Sequence, residues 1–128
     1  MAKVLVVEDD QDIRTLLEVR LRGAGHRVLG AGSADEAHAV LAERGAPDVV
    51  VSDVTLPGTS GLDLVRALRA DERYAAVPVV FLSGRVQEAD IAAGRALGAT
   101  YLTKPVVLSA LAKAIEHALA VPAAGDGW

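Results

Sequence analysis

The chain has 128 residues, of which 52% are hydrophobic and 23% charged, so it can bury the core of one domain and is not an intrinsically disordered segment. It has no cysteine, which excludes disulfides and thiolate metal sites, and its net charge of −4 excludes the basic surface typical of nucleic-acid binding. No apolar stretch reaches the roughly 20 residues of a membrane helix, and the acids at positions 8–10 interrupt the start too early for a signal peptide. We therefore expect a cytoplasmic protein that binds neither nucleic acid nor membrane directly.

Strand-like apolar runs alternate with helix-like patterns along the chain. The predicted strands cover Lys3–Val7, His26–Leu29, Asp48–Ser52, Pro78–Leu82 and Ala99–Leu102. The predicted helices cover Asp10–Arg22, Ala34–Arg44, a segment after Ser60, Gln87–Leu97 and a segment after Pro105. Five βα pairs of this kind predict a three-layer α/β fold, in which right-handed crossovers place helices on both faces of a parallel sheet.

Several residues indicate where these helices begin and which faces they bury. Ser33 with Glu36, and Ser60 with Asp63, have the spacing of a capping box. Pro105 suits the first turn of the last helix. Apolar residues at helical spacing predict the buried faces of the first and last helices, which are Ile13, Leu16, Leu17 and Leu21 in the first and Leu108, Leu111, Ile115 and Leu119 in the last.

Three carboxylates come where predicted strands end. Glu8 and Asp9 close the first strand, and Asp53 follows the third. If these strands are neighbours in a parallel sheet, the carboxylates meet at its carboxyl edge, where open α/β sheets bind ligands. Carboxylates this close repel each other unless a cation neutralises them. Oxygen ligands without Cys or His suit Mg²⁺, so the sequence predicts a site for Mg²⁺ or, as a substitute, Mn²⁺.

Five motifs resemble, in this order, those of the receiver domain of bacterial response regulators. They are Val6-Val7-Glu8-Asp9-Asp10, Asp53 with Leu56-Pro57-Gly58, Gly61, Leu82-Ser83-Gly84 and Lys104-Pro105. The resemblance covers nearly all of residues 3–120. It implies a flavodoxin-like, doubly wound (βα)5 fold with strand order 2-1-3-4-5. The receiver domain would occupy residues 1–121, and residues 122–128 would form a flexible C-terminal tail.

The resemblance also implies roles for the residues around the acidic cluster. Asp53 would be the phosphoacceptor, and its carboxylate would form an acyl phosphate. Glu8, Asp9, Asp53 and the backbone carbonyl of Thr55 would hold the metal. Lys104 would contact the phosphoryl group as a positive charge, and the peptide bond between Lys104 and Pro105 would be cis.

Further residues would sense or tune the phosphorylated state. Ser83 would donate a hydrogen bond to a phosphoryl oxygen, and Tyr101 would rotate inward behind it. Thr55 and Arg85 would flank the acyl phosphate and tune its attack by water, with Arg85 slowing the loss. These movements would change the surface formed by the Gln87–Leu97 helix, the fifth strand and the last helix, which we call the output face.

Some residues depart from the pattern of the family. Thr59 stands where Met is common, and Val106 stands where Phe is frequent. The stretch Gly98-Ala99-Thr100-Tyr101 also looks one residue shorter than the usual link into the fifth strand. Because these changes fall on the output face, they leave the predicted phosphorylation chemistry intact and leave the partner of this face open.

We expect a phosphorylation-activated switch of a two-component phosphorelay and not an enzyme. Its own activity would be limited to Mg²⁺-dependent self-phosphorylation and autodephosphorylation. The phosphodonor would be a sensor histidine kinase or a histidine phosphotransfer protein, and the downstream partner would be another protein of unknown identity. The chain would be a monomer or a transient homodimer.

Other interpretations of the sequence differ in class. The chain could be a degenerate receiver that acts as a phosphorylation-independent interaction module, or the excised N-terminal domain of a longer response regulator, although we favour a single-domain form. A phosphatase of the haloacid dehalogenase type would need a second Asp at the position of Thr55. A flavodoxin-like cofactor binder would need a phosphate-cradling loop after the first strand, where this chain has acids.

Overall fold

The central feature of the fold is one parallel sheet. The structure is a computed structural model, and it describes residues 2–84, 92–93 and 95–119. Within these ranges the strands are β1 (Lys3–Val7), β2 (Arg27–Ala31), β3 (Val49–Asp53), β4 (Val79–Ser83) and β5 (Thr100–Thr103). Their order is β2-β1-β3-β4-β5, and every neighbouring pair is parallel. The predicted five-stranded fold and its strand order are confirmed.

Four helices have defined bounds in the described part of the chain. They are α1 (Gln11–Gly23), α2 (Ala34–Arg44), α3 (Gly61–Arg69) and α4 (Leu108–Ala118). Residues 92–93 and 95–96 are also helical, and they lie inside the helix predicted over Gln87–Leu97. Residues 87–91 and 94 of that predicted helix, and the tail predicted over 122–128, lie outside the described residues. No helix in the described ranges is long and apolar enough to cross a membrane.

The sheet separates two apolar cores because successive side chains of a strand point to opposite faces. Leu5 and Val7 of β1 join the core that contains residues of α2 and α3, whereas Val4 and Val6 join the core that contains residues of α1 and α4. Both faces of the central strands are therefore buried, which explains their nearly continuous apolar sequences. The result is the three-layer architecture predicted from the sequence.

Side-chain caps mark three helix starts, and two of them, Ser33 and Ser60, were predicted. Asp10 Oδ1 accepts hydrogen bonds from the backbone amides of Asp12 and Ile13 at 2.9 and 3.1 Å, so Asp10 is the N-cap of α1. Ser33 and Ser60 likewise accept the amides of Glu36 and Asp63 at the starts of α2 and α3. Each side chain satisfies a backbone donor that the first helical turn leaves unpaired.

The start of α4 differs from the prediction. Pro105 does not lie in the first turn, because the helix begins at Leu108 and its N-cap, Val107, has extended backbone angles of φ −88° and ψ 115°. Two consecutive β-branched residues, Val106 and Val107, favour this extended conformation over a helical one. The peptide bond between Lys104 and Pro105 is cis, as the family resemblance implied.

Two of the residues predicted to face the core are exposed. Leu16 on α1 is 51% exposed, and Leu108 on α4 is 36% exposed, whereas Leu17, Leu111 and Ile115 are buried. Adjacent residues of a helix point about 100° apart, so the sheet covers Leu17 while Leu16 lies outside the contact. The predicted apolar stripes were therefore wider than the faces that the sheet buries.

Candidate functional site

The strand register brings the acids of β1 and β3 together. Val7 of β1 pairs with Ser52 of β3, so the next residues along each strand, Glu8 and Asp53, lie side by side at the carboxyl edge of the sheet. Glu8, Asp9 and Asp53 each offer a carboxylate oxygen, and these oxygens lie within 4.8 Å of one another. Glu8 is only 1% exposed and Asp53 7%, whereas Asp9 is exposed. We call these three residues the acidic cluster.

Lys104 provides the positive charge of this site. It follows β5, and its Nζ donates hydrogen bonds to Asp53 Oδ2 at 2.8 Å and to the Glu8 carboxylate at 3.2 and 3.3 Å. Its backbone amide donates to the carbonyl of Ser83 at 2.8 Å, which ties the loop after β5 to the end of β4. The ammonium group therefore bridges two members of the acidic cluster.

The charges of the site shift the pKa values of Glu8 and Lys104. Burial, followed by the charge of Asp53, raises the pKa of Glu8 from 4.5 to about 7, and the contact with Lys104 offsets only part of this shift. Burial alone would lower the pKa of Lys104, but its hydrogen bonds and attraction to Asp53 and Glu8 outweigh burial and raise that pKa. Glu8 therefore holds a proton more readily than an ordinary carboxyl does.

The donor set of the acidic cluster fits a hard divalent cation. All three side chains offer oxygen ligands, and among the described residues one ammonium group, that of Lys104, forms ion pairs with two of them. Mg²⁺ binds through a few carboxylates while keeping several waters, and Mn²⁺ accepts similar ligands. An acidic group that could hold such a metal is thus present where the sequence predicted it.

Three of the remaining predicted site residues, Thr55, Ser83 and Tyr101, lie in the described part of the chain. The backbone amide of Thr55 donates to Asp53 Oδ1 at 3.3 Å, while its side chain is exposed. Ser83 is buried and ends β4 beside Thr103. Tyr101 is half-buried on β5, with its ring centroid 5.2 Å from that of Phe81. Arg85 lies outside the described residues.

Two contacts at the site add to the sequence predictions: the close packing of Gly61, which the sequence singled out only as a family motif, and a hydrogen bond from Arg14, which it did not single out. Gly61 lies so close to the backbone of Asp53 that an added Cβ would collide with the Asp53 carbonyl, so its role is close packing. Arg14 Nη1 donates to the backbone carbonyl of Glu8 at 2.8 Å. The sequence signal that could have drawn attention to Arg14 is its spacing of four residues from Glu18, which is typical of a helical ion pair.

Comparison with known proteins agrees with this fold and shows the family of the chain. Residues 4–116 match the family model of the response regulator receiver domain. The chain therefore belongs to the response regulator receiver family. Receiver domains of this family are regulatory parts of two-component signalling systems, so the class predicted from the motifs is confirmed.

Curated relatives differ in how much of their length the chain spans. The chain is 36% identical over 124 residues to the phosphate regulon transcriptional regulatory protein PhoB of Pseudomonas aeruginosa, covering 96% of this chain and 54% of that protein. It is 38% identical over 121 residues to protein PilH of the same species, covering 94% of this chain and 99% of PilH. The chain thus spans about half the length of PhoB and nearly all of PilH.

Solved structures show the same fold. The chemotaxis protein CheY4 of Vibrio cholerae superposes with a TM-score of 0.86 at 34% identity, covering 93% of this chain and 99% of that one. A response regulator receiver protein from Pseudomonas putida superposes with a TM-score of 0.84 at 33% identity, covering 89% of this chain and 94% of that one. The similarity of fold to these two structures extends over about nine-tenths of this chain.

Proposed function

We propose that this receiver is a phosphorylation-controlled switch that accepts a phosphoryl group on Asp53. The observation that carries the proposal is the contact of one ammonium group, Lys104 Nζ, with both Asp53 and Glu8 inside the acidic cluster. A capping Asp at a strand end would need neither a second buried carboxylate nor a cation beside it. This set of groups suits a reaction in which negative charge develops on phosphoryl oxygens.

The proposed step is an in-line displacement at phosphorus. An oxygen of the Asp53 carboxylate forms a bond to phosphorus, and the bond from phosphorus to the donor's imidazole nitrogen, or to the leaving oxygen of acetyl phosphate, breaks. Glu8, Asp9, Asp53 and the Thr55 carbonyl would hold Mg²⁺, which neutralises phosphoryl charge when bound. Lys104, already 2.8 Å from Asp53, would move its hydrogen bond to a phosphoryl oxygen. Attack by water would reverse the modification.

The change at Asp53 would reach the surface through β4 and β5. Ser83 ends β4, and its carbonyl accepts the amide of Lys104, so the two residues that would contact the phosphoryl group are linked directly. Tyr101 packs against Phe81, two residues before Ser83 on the same strand. A shift of Ser83 toward the phosphoryl group and of Tyr101 inward would alter the output face. Thr55 and Arg85 would set how fast water reaches the acyl phosphate.

The proposed partners follow from this chemistry. A sensor histidine kinase or a histidine phosphotransfer protein would supply the phosphoryl group, and a downstream protein would read the output face. We assign the receiver to residues 1–121 and a tail to 122–128. PhoB is named as a transcriptional regulatory protein, but the predicted absence of direct nucleic-acid binding by this chain rests on its acidic composition. A monomer or transient homodimer would suffice.

Intact-protein mass spectrometry tests the phosphoacceptor. The protein is incubated with acetyl phosphate and Mg²⁺, in parallel with Asp53→Asn, with the control Asp63→Asn and with a chelator. Asp63 is a suitable control because it is another Asp near the start of α3, where it pairs with Arg66. We expect one phosphoryl adduct in the wild type and in Asp63→Asn, and none in Asp53→Asn or with the chelator.

Two results would contradict this proposal in different ways. An adduct that persists in Asp53→Asn would place the phosphoacceptor elsewhere. Absence of any adduct, while Mn²⁺ still binds, would favour the alternative of a receiver that works as a phosphorylation-independent interaction module.

A further inference from the structure

Arg14 reaches from α1 back to the loop that carries the acidic cluster. Its Nη1 donates a hydrogen bond of 2.8 Å to the backbone carbonyl of Glu8. The amide of Glu8 donates to the carbonyl of Ala31 on β2 at 3.0 Å. Glu8 is thus held through both of its peptide groups. Because the Glu8 carbonyl belongs to the peptide that joins Glu8 to Asp9, the bond from Arg14 orients the backbone that carries both carboxylates.

An ion-pair ladder along α1 holds the Arg14 side chain in place. Glu18 Oε1 lies 3.8 Å from Arg14 Nε, and Glu18 Oε2 lies 3.7 Å from Arg22 Nη1, each at a spacing of four residues. Arg22 also donates to a backbone carbonyl, that of Val28 on β2, at 3.0 Å. Arg14 and Arg22 therefore make the same kinds of contact, one beside the acidic cluster and one at the far end of α1.

Two glycines provide the space that this ladder occupies. At Gly30 of β2, an added Cβ would collide with Glu18 Oε1 and lie 3.2 Å from Arg14 Cδ. At Gly32, an added Cβ would lie 3.0 Å from Arg14 Nη1, which is tighter than ordinary van der Waals contact. Larger side chains at these positions would displace Glu18 and Arg14. The ladder and the two glycines therefore form one packing unit beside the metal site.

We propose that Arg14 is a positioning residue for the metal site. It holds the peptide between Glu8 and Asp9 so that both carboxylates face Asp53, while Glu18 braces the guanidinium and Gly30 leaves room for Glu18. The inference rests on the proposed function, because it assumes that the acidic cluster binds a divalent metal. Residues that orient metal ligands from outside the coordination shell commonly change metal affinity by 10- to 100-fold when replaced.

The test compares two arginines of the same helix in the 128-residue chain. Mn²⁺ affinity is measured by electron paramagnetic resonance of the free ion, and Mg²⁺ affinity by competition, for the wild type, Arg14→Met and Arg22→Met. Methionine keeps the aliphatic stem and removes the donors and the charge. We expect about a 10-fold or greater loss of affinity in Arg14→Met and a change of less than about twofold in Arg22→Met.

Thermal unfolding without metal separates positioning from general damage. Each variant loses an ion pair with Glu18 and one hydrogen bond to a carbonyl, and Arg22→Met should lose less stability because Arg22 is 52% exposed against 23% for Arg14. Metal affinity is therefore compared at a temperature at which both variants are fully folded. Gly30→Ala provides a second test that removes no polar group. Since its methyl group would displace Glu18, we expect it to weaken Mn²⁺ binding several-fold while a Gly23→Ala control, whose Cβ would meet no atom within 4 Å, binds Mn²⁺ like the wild type.

The possible outcomes distinguish this inference from the proposed function. The positioning role alone would be refuted if the wild type binds Mn²⁺ and Arg14→Met binds it equally well. Equal losses of Mn²⁺ affinity in Arg14→Met and Arg22→Met would refute it too. Failure of the wild-type chain to bind either ion would refute the metal site and the inference together. If Arg14→Met does not fold, wild-type Mn²⁺ affinity in Arg14→Gln, which also lacks the guanidinium, would refute the positioning role.

Discussion

At the scale of single residues, Glu8 makes the stability of the metal-free protein depend on pH. Its pKa is about 7 in the folded protein, against 4.5 for an ordinary Glu, chiefly because it is buried and secondly because Asp53 is adjacent. Between these two values the folded state binds more protons than the unfolded state. Stability should therefore fall as pH rises from about 4.5 to 7, by at most ~1.4 kcal/mol per pH unit.

Urea unfolding in a chelating buffer at pH 5, 6, 7 and 8 measures this dependence. Glu8→Gln should remove most of the decline, because a neutral amide of similar shape does not titrate, and the difference between the two proteins cancels the titration of the histidines. In the same buffers without the chelator, added Mg²⁺ should stabilise the wild type more at pH 8 than at pH 5, since metal and proton compete for the same carboxylate. Equal slopes in wild type and Glu8→Gln would exclude Glu8 as the titrating group.

The residues of the site were partly predictable from the sequence. The convergence of Glu8, Asp9 and Asp53 followed from strand ends in a parallel sheet, because backbone geometry alone fixes that edge. The approach of Lys104 came from the family resemblance, since nothing in the spacing brings residue 104 to residue 8. Arg14 was missed, because its hydrogen bond to the Glu8 carbonyl depends on how far a side chain reaches across a loop.

At the scale of elements, Arg69 links the end of α3 to two neighbouring segments. Its Nε donates to the carbonyl of Leu97 at 2.8 Å, and its Nη1 donates to the carbonyls of Ala75 and Val77 at 3.2 and 2.7 Å. Burial lowers the pKa of Arg69, but an arginine remains charged at neutral pH. One side chain thus holds the chain entering β4 and the turn before β5 against α3.

Replacing Arg69 by Met should destabilise the protein by about 1–3 kcal/mol, because it leaves the carbonyls of Leu97 and Val77, whose hydrogen bonds are partly buried, without this charged donor. Arg66→Met on the same helix is the control, since Arg66 forms an exposed pair with Asp63 and should change stability by less than about 0.5 kcal/mol. Urea unfolding gives both values. Faster amide exchange of Gly98 in Arg69→Met alone would localise the effect, whereas equal destabilisation in the two variants would contradict it.

The ends of strands and helices were predicted best where particular residues mark them chemically. β2 was predicted to end at Leu29, yet it continues to Ala31 because Gly30 and Ala31 pair with Val6 and Val7 through backbone hydrogen bonds. Every residue except proline, glycine included, carries both backbone groups that make this pairing. The strand was predicted to end before Gly30 because the apolar side chains stop there. The α2 bounds were predicted correctly because Ser33 and Gly45 mark both of its ends chemically. The start of α4 had no side-chain cap and was misplaced.

At the scale of the whole molecule, residues from both ends of the chain form an apolar groove beside the acidic cluster. The groove has a volume of about 260 Å³ and is lined by Ile13, Leu16, Leu17, Lys104, Pro105, Val106 and Leu108. It exists only in the folded molecule, because α1 forms one wall and the segment from β5 into α4 forms the other. Lys104 lines the groove and also contacts Asp53, so we expect a protein that delivers the proposed phosphoryl group to Asp53 to contact this surface.

Leu16, the more exposed of the two exposed leucines in this groove, should therefore affect transfer from a protein donor but not from a small one. Leu16→Asp should slow phosphotransfer from an autophosphorylated histidine kinase about 10-fold or more, because a charge would replace an apolar contact. The reaction with acetyl phosphate should stay within about twofold, since Asp53 and Lys104 are unchanged. Val19→Asp is the matched control, because Val19 is also an exposed apolar residue of α1, 58% against 51% for Leu16, but does not line the groove. The measurement is the initial rate of phosphorylation with each donor. Equal slowing of transfer from the kinase in Leu16→Asp and Val19→Asp would show that the groove does not receive the donor. Slowing of the acetyl phosphate reaction in Leu16→Asp would show the same.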